Sequence, residues 1–486
     1  MAGLSLIDSA LLHEQAFING QWCDADDERT LVVTDPATGE RLASVPSMGV
    51  GETRRAIEAA EAAWPEWRAR PAAERATLLE RWHALMLENI DDLAVLMTRE
   101  QGKPLAEAKG EIRYGASFVK WFAEEARRAY GETVPAPSKD RRILVLKQPV
   151  GVCGAITPWN FPNAMITRKC APALAAGCPI VIKPSELTPL SALALAELAE
   201  RAGFPPGVIN IITGLPEGIG GELTSNPAVR KLSFTGSTRV GSLLMRQSAG
   251  DIKRLSLELG GNAPLIVFDD ADLELAVAGT MVSKFRNAGQ TCVCANRILV
   301  QSGIHDRFVE RLMSEIETLR CGNGMEDDIT VGPLINDQAV HKVARHLDDA
   351  LSQGASLIIG QIPNEQDRLV LPTLLTGVTD KMLVTQEETF GPVAPIMRFE
   401  TEEEAVRIAN ATPFGLAAYF FTESMRRAWR VGEALEFGMV GLNTGSVSME
   451  VAPFGGIKQS GLGREGARQG LDEYLEEKAF HIGGLE

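Results

Sequence analysis

Residues 150–186 read VGVCGAITPWNFPNAMITRKCAPALAAGCPIVIKPSE, and this stretch decides the fold. Its first run, VGVCGAIT, is rich in small and β-branched residues, which is typical of a buried strand. A segment with helical spacing follows, NAMITRKCAPALAAG, and then a second strand-like run, PIVIK. Strand, helix and strand in this order are typical of a βαβ unit with parallel strands. The stretch therefore predicts a parallel sheet covered by helices.

The same alternation continues to about residue 259. Helical spacing in PLSALALAELAERAG and STRVGSLLMRQSA alternates with the strand-like runs VINIIT, KLSFT and IKRLSLEL, and PEG precedes a short helix. A second α/β section begins near Gly260 with PLIVFDD and DLELAVAGTMVSKFRNAG. Before the quoted stretch, residues 52–130 are rich in Ala, Glu and Arg with helical spacing, which predicts helices packed at the surface. A proline-containing connector, GETVPAPSKDRR at 131–142, joins the two parts.

Composition excludes several classes of function. A chain of 486 residues is too long for one core and predicts two or three domains. Its formal net charge of −16 repels phosphate backbones, so we expect no nucleic-acid partner and no anionic membrane surface. The start, MAGLSLIDSALLHE, has no basic segment before its apolar residues and carries Asp8 within them, which argues against a secretory signal. The most continuously apolar stretch, Cys170 to Ile182, is interrupted by prolines and is too short to span a bilayer.

The cysteines indicate reduced thiols, because their number, 7, is odd and no two of them form a Cys-x-x-Cys pair. The cysteines are Cys23, Cys153, Cys170, Cys178, Cys292, Cys294 and Cys321. The 6 histidines are scattered, and His341 and His346 lack the spacing that would place two metal ligands on one face of a helix. We therefore expect a cytoplasmic protein without a metal site.

Two short motifs lie where a parallel sheet binds its ligands, at the carboxyl ends of strands. In FTGSTRVG, Gly236 and Ser237 form the turn from a strand into a helix, where free backbone N–H groups and the helix dipole attract phosphate. The same turn is equally typical of a tight helix start that is capped by Ser237 or Thr238. In KPSE, a carboxylate at Glu186 could accept both ribose hydroxyls of an adenosine, and the alternative is a solvated pair of Lys183 and Glu186.

Together with further motifs, these two resemble the NAD(P)-dependent aldehyde dehydrogenase superfamily. The further motifs are PWNFP at 158–162, LELGGNAP at 257–264, GQTC at 289–292 and EETFGPV at 387–393. The resemblance covers essentially the whole chain. It implies an α/β fold with a Rossmann-like cofactor domain, an α/β catalytic domain and a small oligomerisation arm, and hence a homodimer or homotetramer. The expected segments are 1–130 and 147–258 for the NAD-binding domain, 259–453 for the catalytic domain, and 131–146 and 454–486 for oligomerisation and bridging.

Within the superfamily, the chain is most similar to succinate-semialdehyde dehydrogenases. The similarity lies in TRK at 167–169, KFRNAGQTCVCANR at 284–297 and PFGGIKQSGLGREG at 453–466. It implies NAD(P)-dependent oxidation of a small semialdehyde, with succinate semialdehyde as the expected substrate and succinate as the product. Glutarate semialdehyde or a broader range of aldehydes is an alternative. A non-catalytic binding or structural protein with this fold is a further alternative.

The resemblance assigns the chemistry to three residues. Cys292 matches the nucleophile, whose thiolate attacks the aldehyde carbonyl to give a thiohemiacetal and then a thioester. Asn160 matches the oxyanion donor, a task that suits a neutral amide because it does not quench the thiolate. Glu258 matches the general base that activates water to hydrolyse the thioester, and enzymes of the superfamily that release an acyl-CoA generally lack it. A carboxylate can accept the thiol proton, so this chemistry requires no histidine. A cysteine peptidase is disfavoured because no histidine stands in a motif context.

The resemblance also implies residues that hold the cofactor and the substrate. The cofactor contacts are Trp159, Lys183, Glu186, Gly236, Ser237, Glu388 and Phe390. The contacts to a substrate carboxylate are Arg168, Arg286 and Ser448. Glu186 predicts a preference for NAD over NADP, because a carboxylate repels a 2′-phosphate. Cys294 is a candidate redox partner that forms a strained, reversible disulfide with Cys292, and the alternative is a small buried thiol that never reacts.

Overall fold

A computed structural model of the chain describes residues 4–485. Met1 to Gly3 and Glu486, which begin and end the predicted segments 1–130 and 454–486, lie outside the described residues. Within the described range the strands form an eight-stranded, a seven-stranded, a three-stranded and a two-stranded sheet. Helices pack against the two larger sheets, so the predicted α/β class is confirmed.

The N-terminal part begins with short strands that the sequence pattern did not reveal. These strands are β1 (Ala16–Ile18), β2 (Gln21–Cys23), β3 (Thr30–Thr34) and β4 (Arg41–Pro46). The expected helices follow as α1 (Val50–Ala69), α2 (Ala72–Glu88), α3 (Ile90–Gln101) and α4 (Leu105–Glu125). They are not confined to the surface, because α4 buries Ile112, Phe118 and Phe122 completely. This burial follows from the apolar spacing along α4, which places these side chains on one face.

The connector contains β5 (Glu132–Val134) and leads into β6 (Arg142–Pro149), to which β5 is antiparallel. The predicted boundary between residues 146 and 147 therefore falls inside one strand. The quoted stretch then forms the predicted βαβ unit, with β7 (Val152–Ile156), α5 (Ala164–Ala176) and β8 (Ile180–Lys183). All 13 residues of α5 are buried, because the helix lies between the sheet and α4.

The predicted alternation continues along the first large sheet. Its further elements are α6 (Leu190–Ala202), β9 (Ile209–Ile211), α7 (Pro216–Ser225), β10 (Val229–Thr235), α8 (Thr238–Ser248) and β11 (Arg254–Glu258). The neighbouring pairs in the order β11, β10, β7, β8 and β9 are all parallel, as predicted. β1 adds antiparallel to β9 at one end of this sheet and pairs with β2, so the sheet continues past its parallel part.

The second α/β section forms the seven-stranded sheet. Its elements are β12 (Ala263–Val267), α9 (Leu273–Phe285), β13 (Ala295–Gln301), α10 (His305–Ile316), α11 (Asp337–Ser352), β14 (Ser356–Ile359), β15 (Thr373–Thr376), α12 (Leu383–Gln386), β16 (Val393–Phe399), α13 (Glu402–Asn410), β17 (Ala417–Phe421), α14 (Met425–Ala434) and β18 (Met439–Leu442). The strand order is β14, β15, β16, β13, β12, β17 and β18, and β14 is the antiparallel member.

The C-terminal segment returns to the first part of the molecule. It contains β19 (Gly461–Leu462), α15 (Ala467–Asp472) and β20 (Leu475–Ile482). β19 pairs antiparallel with β11 and so completes the eight-stranded sheet. β20 pairs antiparallel with β6 and builds the three-stranded sheet with β5. The predicted division of the chain into domains stays a prediction.

None of the helices found between residues 4 and 485 combines the length and the apolar character that crossing a lipid bilayer requires.

Candidate active site

A cavity of about 500 Å³ lies at the carboxyl ends of β7, β10 and β11, where a parallel sheet binds its ligands. Both large sheets contribute to its walls: Thr235 and Glu258 end β10 and β11, while Glu388 and Phe390 precede β16. The predicted residues in its lining are Trp159, Asn160, Gly236, Ser237, Glu258, Cys292, Glu388 and Phe390. Lys183 and Glu186 lie outside this lining, at the end of the neighbouring strand β8.

The sequence of the turn from β10 into α8 allowed two interpretations, a phosphate-binding turn and a capped helix start. The structure has features of both. Ser237 is the N-cap of α8, and its side chain accepts a hydrogen bond from the backbone N–H of Val240 at 3.4 Å. Gly236 has no space for a side chain, because a Cβ would come within 2.5 Å of the Phe234 ring. The capped helix start faces the cavity, so the dipole of α8 favours an anion there.

Lys183 and Glu186 form an ion pair beside the cavity. The ammonium of Lys183 is buried and donates hydrogen bonds to the Pro184 carbonyl at 2.9 Å and to the Glu186 carboxylate at 2.9 Å. The side chain of Glu186 is 37% exposed. The charge of Glu186 is therefore compensated by Lys183, and its carboxylate borders solvent.

Glu388, Phe390 and Trp159 also line the cavity. Glu388 accepts a hydrogen bond from the backbone N–H of Gly261 at 3.3 Å. Burial raises the pKa of Glu388 to about 7, against the opposing effect of that hydrogen bond. Phe390 has a left-handed backbone, with φ of 58°, and its ring meets that of Trp159 edge-on at 5.6 Å. These contacts fix the aromatic pair at the cavity wall.

Cys292 lies on a tightly held loop between α9 and β13. Before it, Asn287 and Ala288 adopt left-handed backbone with φ of 52° and 54°, which costs about 1–2 kcal/mol for a residue other than glycine. Asn287 is held by its backbone N–H, which donates to the Glu107 carboxylate at 2.9 Å, and by its side chain, which accepts from Gln101 at 3.0 Å. The surrounding hydrogen bonds thus stabilise an otherwise unfavourable turn that carries the thiol.

The electrostatic environment keeps the thiol of Cys292 protonated. Burial, followed by the negative charge of Glu388, raises the pKa of Cys292 to about 12, while Arg168 and Arg286 act in the opposite direction. At neutral pH the free protein therefore holds Cys292 as a thiol. Only the thiolate is a strong nucleophile, so reaction requires a change in charge or a nearby proton acceptor.

Asn160 is tied to the same loop from the other side. Its side-chain amide donates a hydrogen bond to the Gln290 carbonyl at 3.0 Å, and its backbone carbonyl accepts one from Lys103 at 2.8 Å. The second N–H of the amide is unused by these contacts, because an asparagine amide carries two. Both Asn160 and Cys292 line the cavity, so an oxygen bound between them would meet a neutral donor.

Glu258 is a buried acid whose carboxylate oxygens have no hydrogen-bond partner within the described residues. Burial, followed by the charge of Glu465, raises its pKa well above the usual range, whereas Arg168 and Lys169 lower it. Glu465 in turn forms ion pairs with Arg168 at 2.7 Å and with Lys169. An acid without protein partners that borders the cavity is suited to hold and release the proton of a water molecule.

The residues predicted to bind a substrate carboxylate come together in a small pocket next to Cys292. Arg168, Arg286 and Ser448 all line this pocket, which has a volume of about 20 Å³, and Cys292 lines it too. We call it the arginine pocket. Arg168 stacks on the Phe454 ring at 3.9 Å and pairs with Glu465, while Arg286 stacks on the Phe161 ring at 5.2 Å. Two guanidinium groups beside the thiol suit an anionic aldehyde.

Cys294 is a buried free thiol near this loop. Its sulfur is 3.5 Å from the Lys284 carbonyl, to which it is a weak donor. Burial raises its pKa, with Lys284 acting in the opposite direction. Cys292 is also a free thiol in this structure, so the reversible disulfide stays a prediction.

Sequence reasoning missed two kinds of residue here. Glu465 lies in the quoted motif GREG, so its buried pairing with Arg168 and Lys169 could have been suspected from that motif. Tyr114, whose hydroxyl shares a hydrogen bond with Ser448, lies on α4 with ordinary helical spacing, and no local pattern marks it. In the part of the chain that the structure describes, no three His, Cys, Asp or Glu side chains gather around a point that could hold a metal ion.

Comparison with known proteins agrees with this geometry. The profile of the aldehyde dehydrogenase family matches residues 22–480. A glutarate-semialdehyde dehydrogenase of Pseudomonas aeruginosa is 58% identical over 99% of this chain and 100% of its own length. The succinate-semialdehyde dehydrogenase [NADP(+)] of Escherichia coli is 59% identical over the same shares of the two chains. A solved structure described as an NADP-dependent enzyme of E. coli has a TM-score of 0.98 at 59% identity, covering 99% of this chain and 100% of that one.

These comparisons confirm the predicted fold and contradict one prediction. The preference for NAD over NADP, which was inferred from Glu186, is wrong, because the E. coli relative is named for NADP(+). The physical reason lies in the ion pair at the end of β8. Lys183 compensates the charge of Glu186, and the partly exposed carboxylate is free to turn toward solvent. A glutamate in this setting does not by itself exclude a 2′-phosphate.

Proposed function

Because the chain belongs to the aldehyde dehydrogenase family, we propose that it oxidises a small semialdehyde to the corresponding acid, with NAD(P) as the cofactor. One observation carries this proposal: Cys292 lines both the large cavity and the arginine pocket. A substrate carboxylate beside the arginines would place its aldehyde end at the sulfur. Succinate semialdehyde is the substrate that we propose first.

The large cavity fits the cofactor. A volume of about 500 Å³ lies within the range of small-molecule sites, and the N-terminus of α8 presents an anion-attracting helix end without a side chain at Gly236. We propose that Ser237 and Gly236 meet the pyrophosphate, that Lys183 and Glu186 meet the adenosine ribose, and that Trp159, Glu388 and Phe390 border the nicotinamide end. When bound there, the cofactor supplies the hydride acceptor.

Cys292, Asn160 and Glu258 perform the remaining steps. The proton of the Cys292 thiol passes to Glu258 directly or through water, and the sulfur bonds to the aldehyde carbon. The oxygen of the resulting thiohemiacetal is met by the Asn160 amide and the backbone N–H of Cys292. This neutral donor stabilises the oxyanion without lowering the nucleophilicity of the sulfur.

Glu258 releases the thiol proton to solvent before it acts a second time, in the hydrolysis of the thioester. Its oxygens have no protein partner, so they are available to accept a proton from a water molecule that attacks the thioester carbon. The carbon–sulfur bond then breaks, Cys292 leaves as thiolate, and the acid is released. An acyl-CoA product is disfavoured because this base is present at the site.

Glutarate semialdehyde is the second candidate substrate. The relative from P. aeruginosa acts on it by name and is as similar to this chain as the relative from E. coli that is named for succinate semialdehyde. The arginine pocket suits the carboxylate of either compound. The difference of one methylene is worth about 1–3 kcal/mol in a fitted pocket, so kinetics can separate the two.

The test is a steady-state assay of reduced cofactor at its absorbance band with both semialdehydes and propanal. We expect kcat/KM for the better semialdehyde to exceed that for propanal at least about tenfold, because losing a buried charged contact costs roughly 2–5 kcal/mol. Cys292→Ala should abolish turnover, and Arg286→Leu should lower the semialdehyde value while sparing propanal. A parent enzyme that oxidises propanal as well as either acid would refute the proposal, and a parent without any turnover would support the non-catalytic alternative.

Glu258→Gln provides the test for the general base. Acylation should continue while hydrolysis slows, so rapid mixing should show a burst of reduced cofactor followed by slow turnover. Mass spectrometry of the quenched variant should find the acyl group on Cys292. Turnover at the parent rate without a burst would mean that another group activates the water.

We infer that NADP⁺ is accepted as a cofactor. The Lys183 ammonium offsets the charge of Glu186, and the E. coli relative is named for this cofactor. We expect kcat/KM with NADP⁺ to be at least equal to that with NAD⁺. A value for NADP⁺ that is lower by more than about tenfold would contradict this inference.

We also infer that the chain forms a homodimer or homotetramer through the three-stranded sheet, and that it works in the cytoplasm. The support for assembly is the edge strand β20, whose side chains are mostly exposed. The support for the location is that all of the cysteines are free thiols.

A further inference from the structure

A second cavity lies beside the arginine pocket. It has a volume of about 230 Å³, and we call it the side chamber. The residues that line the side chamber alone are Lys103, Glu107, Gly110 and Glu111. The residues that line both the side chamber and the arginine pocket are Tyr114, Phe161 and Arg286, and we call them the shared wall.

The arginine pocket is too small for the proposed substrate as it stands. A volume of about 20 Å³ holds about one water molecule, so a semialdehyde of four carbons must displace one of the walls. Met165, Arg168 and Phe454 on the other sides are almost fully buried, and a close-packed interior resists displacement. Behind the shared wall lies the open side chamber. The pocket can therefore expand toward the chamber at the lowest cost.

Two members of the shared wall are less buried than the third. Tyr114 is half-buried, and its hydroxyl shares a single hydrogen bond with Ser448. Arg286 is exposed and follows directly after the end of α9. Phe161, in contrast, is buried, and its ring centroid is 4.1 Å from the ammonium of Lys103 and 5.2 Å from the guanidinium of Arg286. Substrate entry would therefore move Tyr114 and Arg286 and leave Phe161 in place.

Of the positively charged residues that line the side chamber, Arg286 is the one available to bind an anionic ligand. Lys103 is already paired with Glu111 at 2.5 Å. Glu107 accepts a hydrogen bond from the backbone N–H of Asn287, and burial raises its pKa. A carboxylate that enters the chamber thus stays beside Arg286, because this residue lines both spaces.

We propose that the side chamber is an extension of the substrate site and that Tyr114 sets the length of the unbranched ω-oxo carboxylate that the enzyme accepts. A four-carbon acid displaces Tyr114 slightly, and each additional methylene requires more of the chamber. The chamber would therefore admit acids of five and six carbons when Tyr114 yields. This inference rests on the proposed oxidation of semialdehydes.

The experiment measures kcat/KM for ω-oxo acids of four, five and six carbons in the full-length enzyme. In Tyr114→Ala, kcat/KM for the six-carbon acid divided by kcat/KM for the four-carbon acid should rise about tenfold or more. One methylene in a fitted pocket is worth at least that factor. Gly110→Leu tests the chamber without touching the arginine pocket. Gly110 lines the chamber and a Cβ there meets no atom within 4 Å, so a leucine has room at this wall and should narrow the chamber, and the same ratio should fall about tenfold.

Gly221→Leu is the matched control. Gly221 is also a helical glycine whose Cβ would meet no atom within 4 Å, and it lies on α7, away from both cavities. Its three kcat/KM values should equal those of the parent. Equal changes for the three acids in both Tyr114→Ala and Gly110→Leu, complete loss included, would overturn the inference. A parent enzyme that oxidises propanal but none of the acids would instead refute the proposed function.

Discussion

Burial disfavours the ionised form of two acidic side chains in the candidate site, Cys292 and Glu258. Glu388 adds to this effect at Cys292, and Glu465 adds to it at Glu258. Burial therefore raises the pKa of both groups in the free protein. The positive charge of a bound nicotinamide would shift both equilibria toward the ionised forms.

The first prediction concerns the pH dependence of the Cys292 thiol. Below a pKa of about 12 the thiolate fraction rises about tenfold with each pH unit. Alkylation of the free protein by iodoacetamide should therefore accelerate from pH 7 to pH 10 without levelling off. Mass spectrometry of the peptide that contains Cys292 measures the rate. A plateau between pH 7 and pH 9 would show that the thiol has an ordinary or lowered pKa.

The second prediction identifies the charge that acts on this thiol. Because Glu388 raises the pKa of Cys292, Glu388→Gln should lower that pKa and increase the alkylation rate at pH 8. Glu387→Gln is the control, since Glu387 pairs with Arg345 at 2.6 Å and lies outside the cavity lining. Equal rates in Glu388→Gln and the parent would exclude an electrostatic effect of Glu388.

The residues of the site were predictable to the extent that they lie in motifs at strand ends. Asn160, Gly236 and Glu258 follow β7 or lie at the ends of β10 and β11, and the topology brings them to one cavity. Tyr114 was not predictable, because its role depends on a contact with Ser448 from the far end of the chain. The error about Glu186 has a similar cause, since the compensating ion pair is visible only in three dimensions.

At the scale of elements, the corner between α3 and α4 holds the loops of the candidate active site. Lys103 donates to the backbone carbonyl of Asn160 and pairs with Glu111, which accepts hydrogen bonds from the backbone N–H groups of Asn163 and Ala164 at 3.0 and 3.1 Å. The side chains of Lys103 and Glu111 are each 1% exposed. One buried ion pair thus fixes the start of α5 and the proposed oxyanion donor.

The third prediction concerns this buried pair. Lys103→Met leaves Glu111 without its cation, so the free energy of unfolding should fall by about 3–5 kcal/mol. Urea denaturation followed by circular dichroism measures the change. Lys103→Met with Glu111→Gln should recover part of the loss, because glutamine keeps an acceptor for the N–H groups and removes the uncompensated charge. A double variant no more stable than Lys103→Met would mean that the ion pair is not the source of the loss.

The elements of the alternating part were predictable, and the short strands outside it were not. The alternation from β7 to β11 was visible because helices of 10 to 13 residues show their period and frame the strands between them, including the three-residue β9. β1 and β2 contain 3 residues each, too few for alternation to register, and no α-helix separates them from β3 and β4. They exist because neighbouring strands supply hydrogen-bond partners, as β9 does for β1.

At the scale of the whole molecule, the C-terminal segment joins parts that are distant in sequence. β19 extends the eight-stranded sheet, Glu465 pairs with Arg168 on α5, and β20 forms the three-stranded sheet with β6. Periodicity could not predict these links, because they depend on pairing across the full chain. The resemblance in the motifs supplied the expectation of an arm, and its role in assembly stays a proposal.

The fourth prediction tests that role. Phe480 on β20 is 49% exposed, so Phe480→Glu should place charge in the proposed contact between subunits and shift the protein toward smaller species. Light scattering coupled to gel filtration over a dilution series measures the mass. Val32→Glu is the control, since Val32 is 55% exposed on β3 of the separate two-stranded sheet. A parent that is monomeric, or a Phe480→Glu variant with the parent mass, would contradict assembly through this strand.

The protonated resting state of Cys292 also bears on how the protein ages. Peroxide attacks thiolates far faster than thiols, and burial raises the pKa of Cys292, so few molecules without cofactor carry a thiolate at pH 7. We therefore expect molecules without cofactor to react slowly with peroxide. Oxidation should fall mainly on molecules at work, so that the loss of activity follows the number of turnovers rather than the elapsed time.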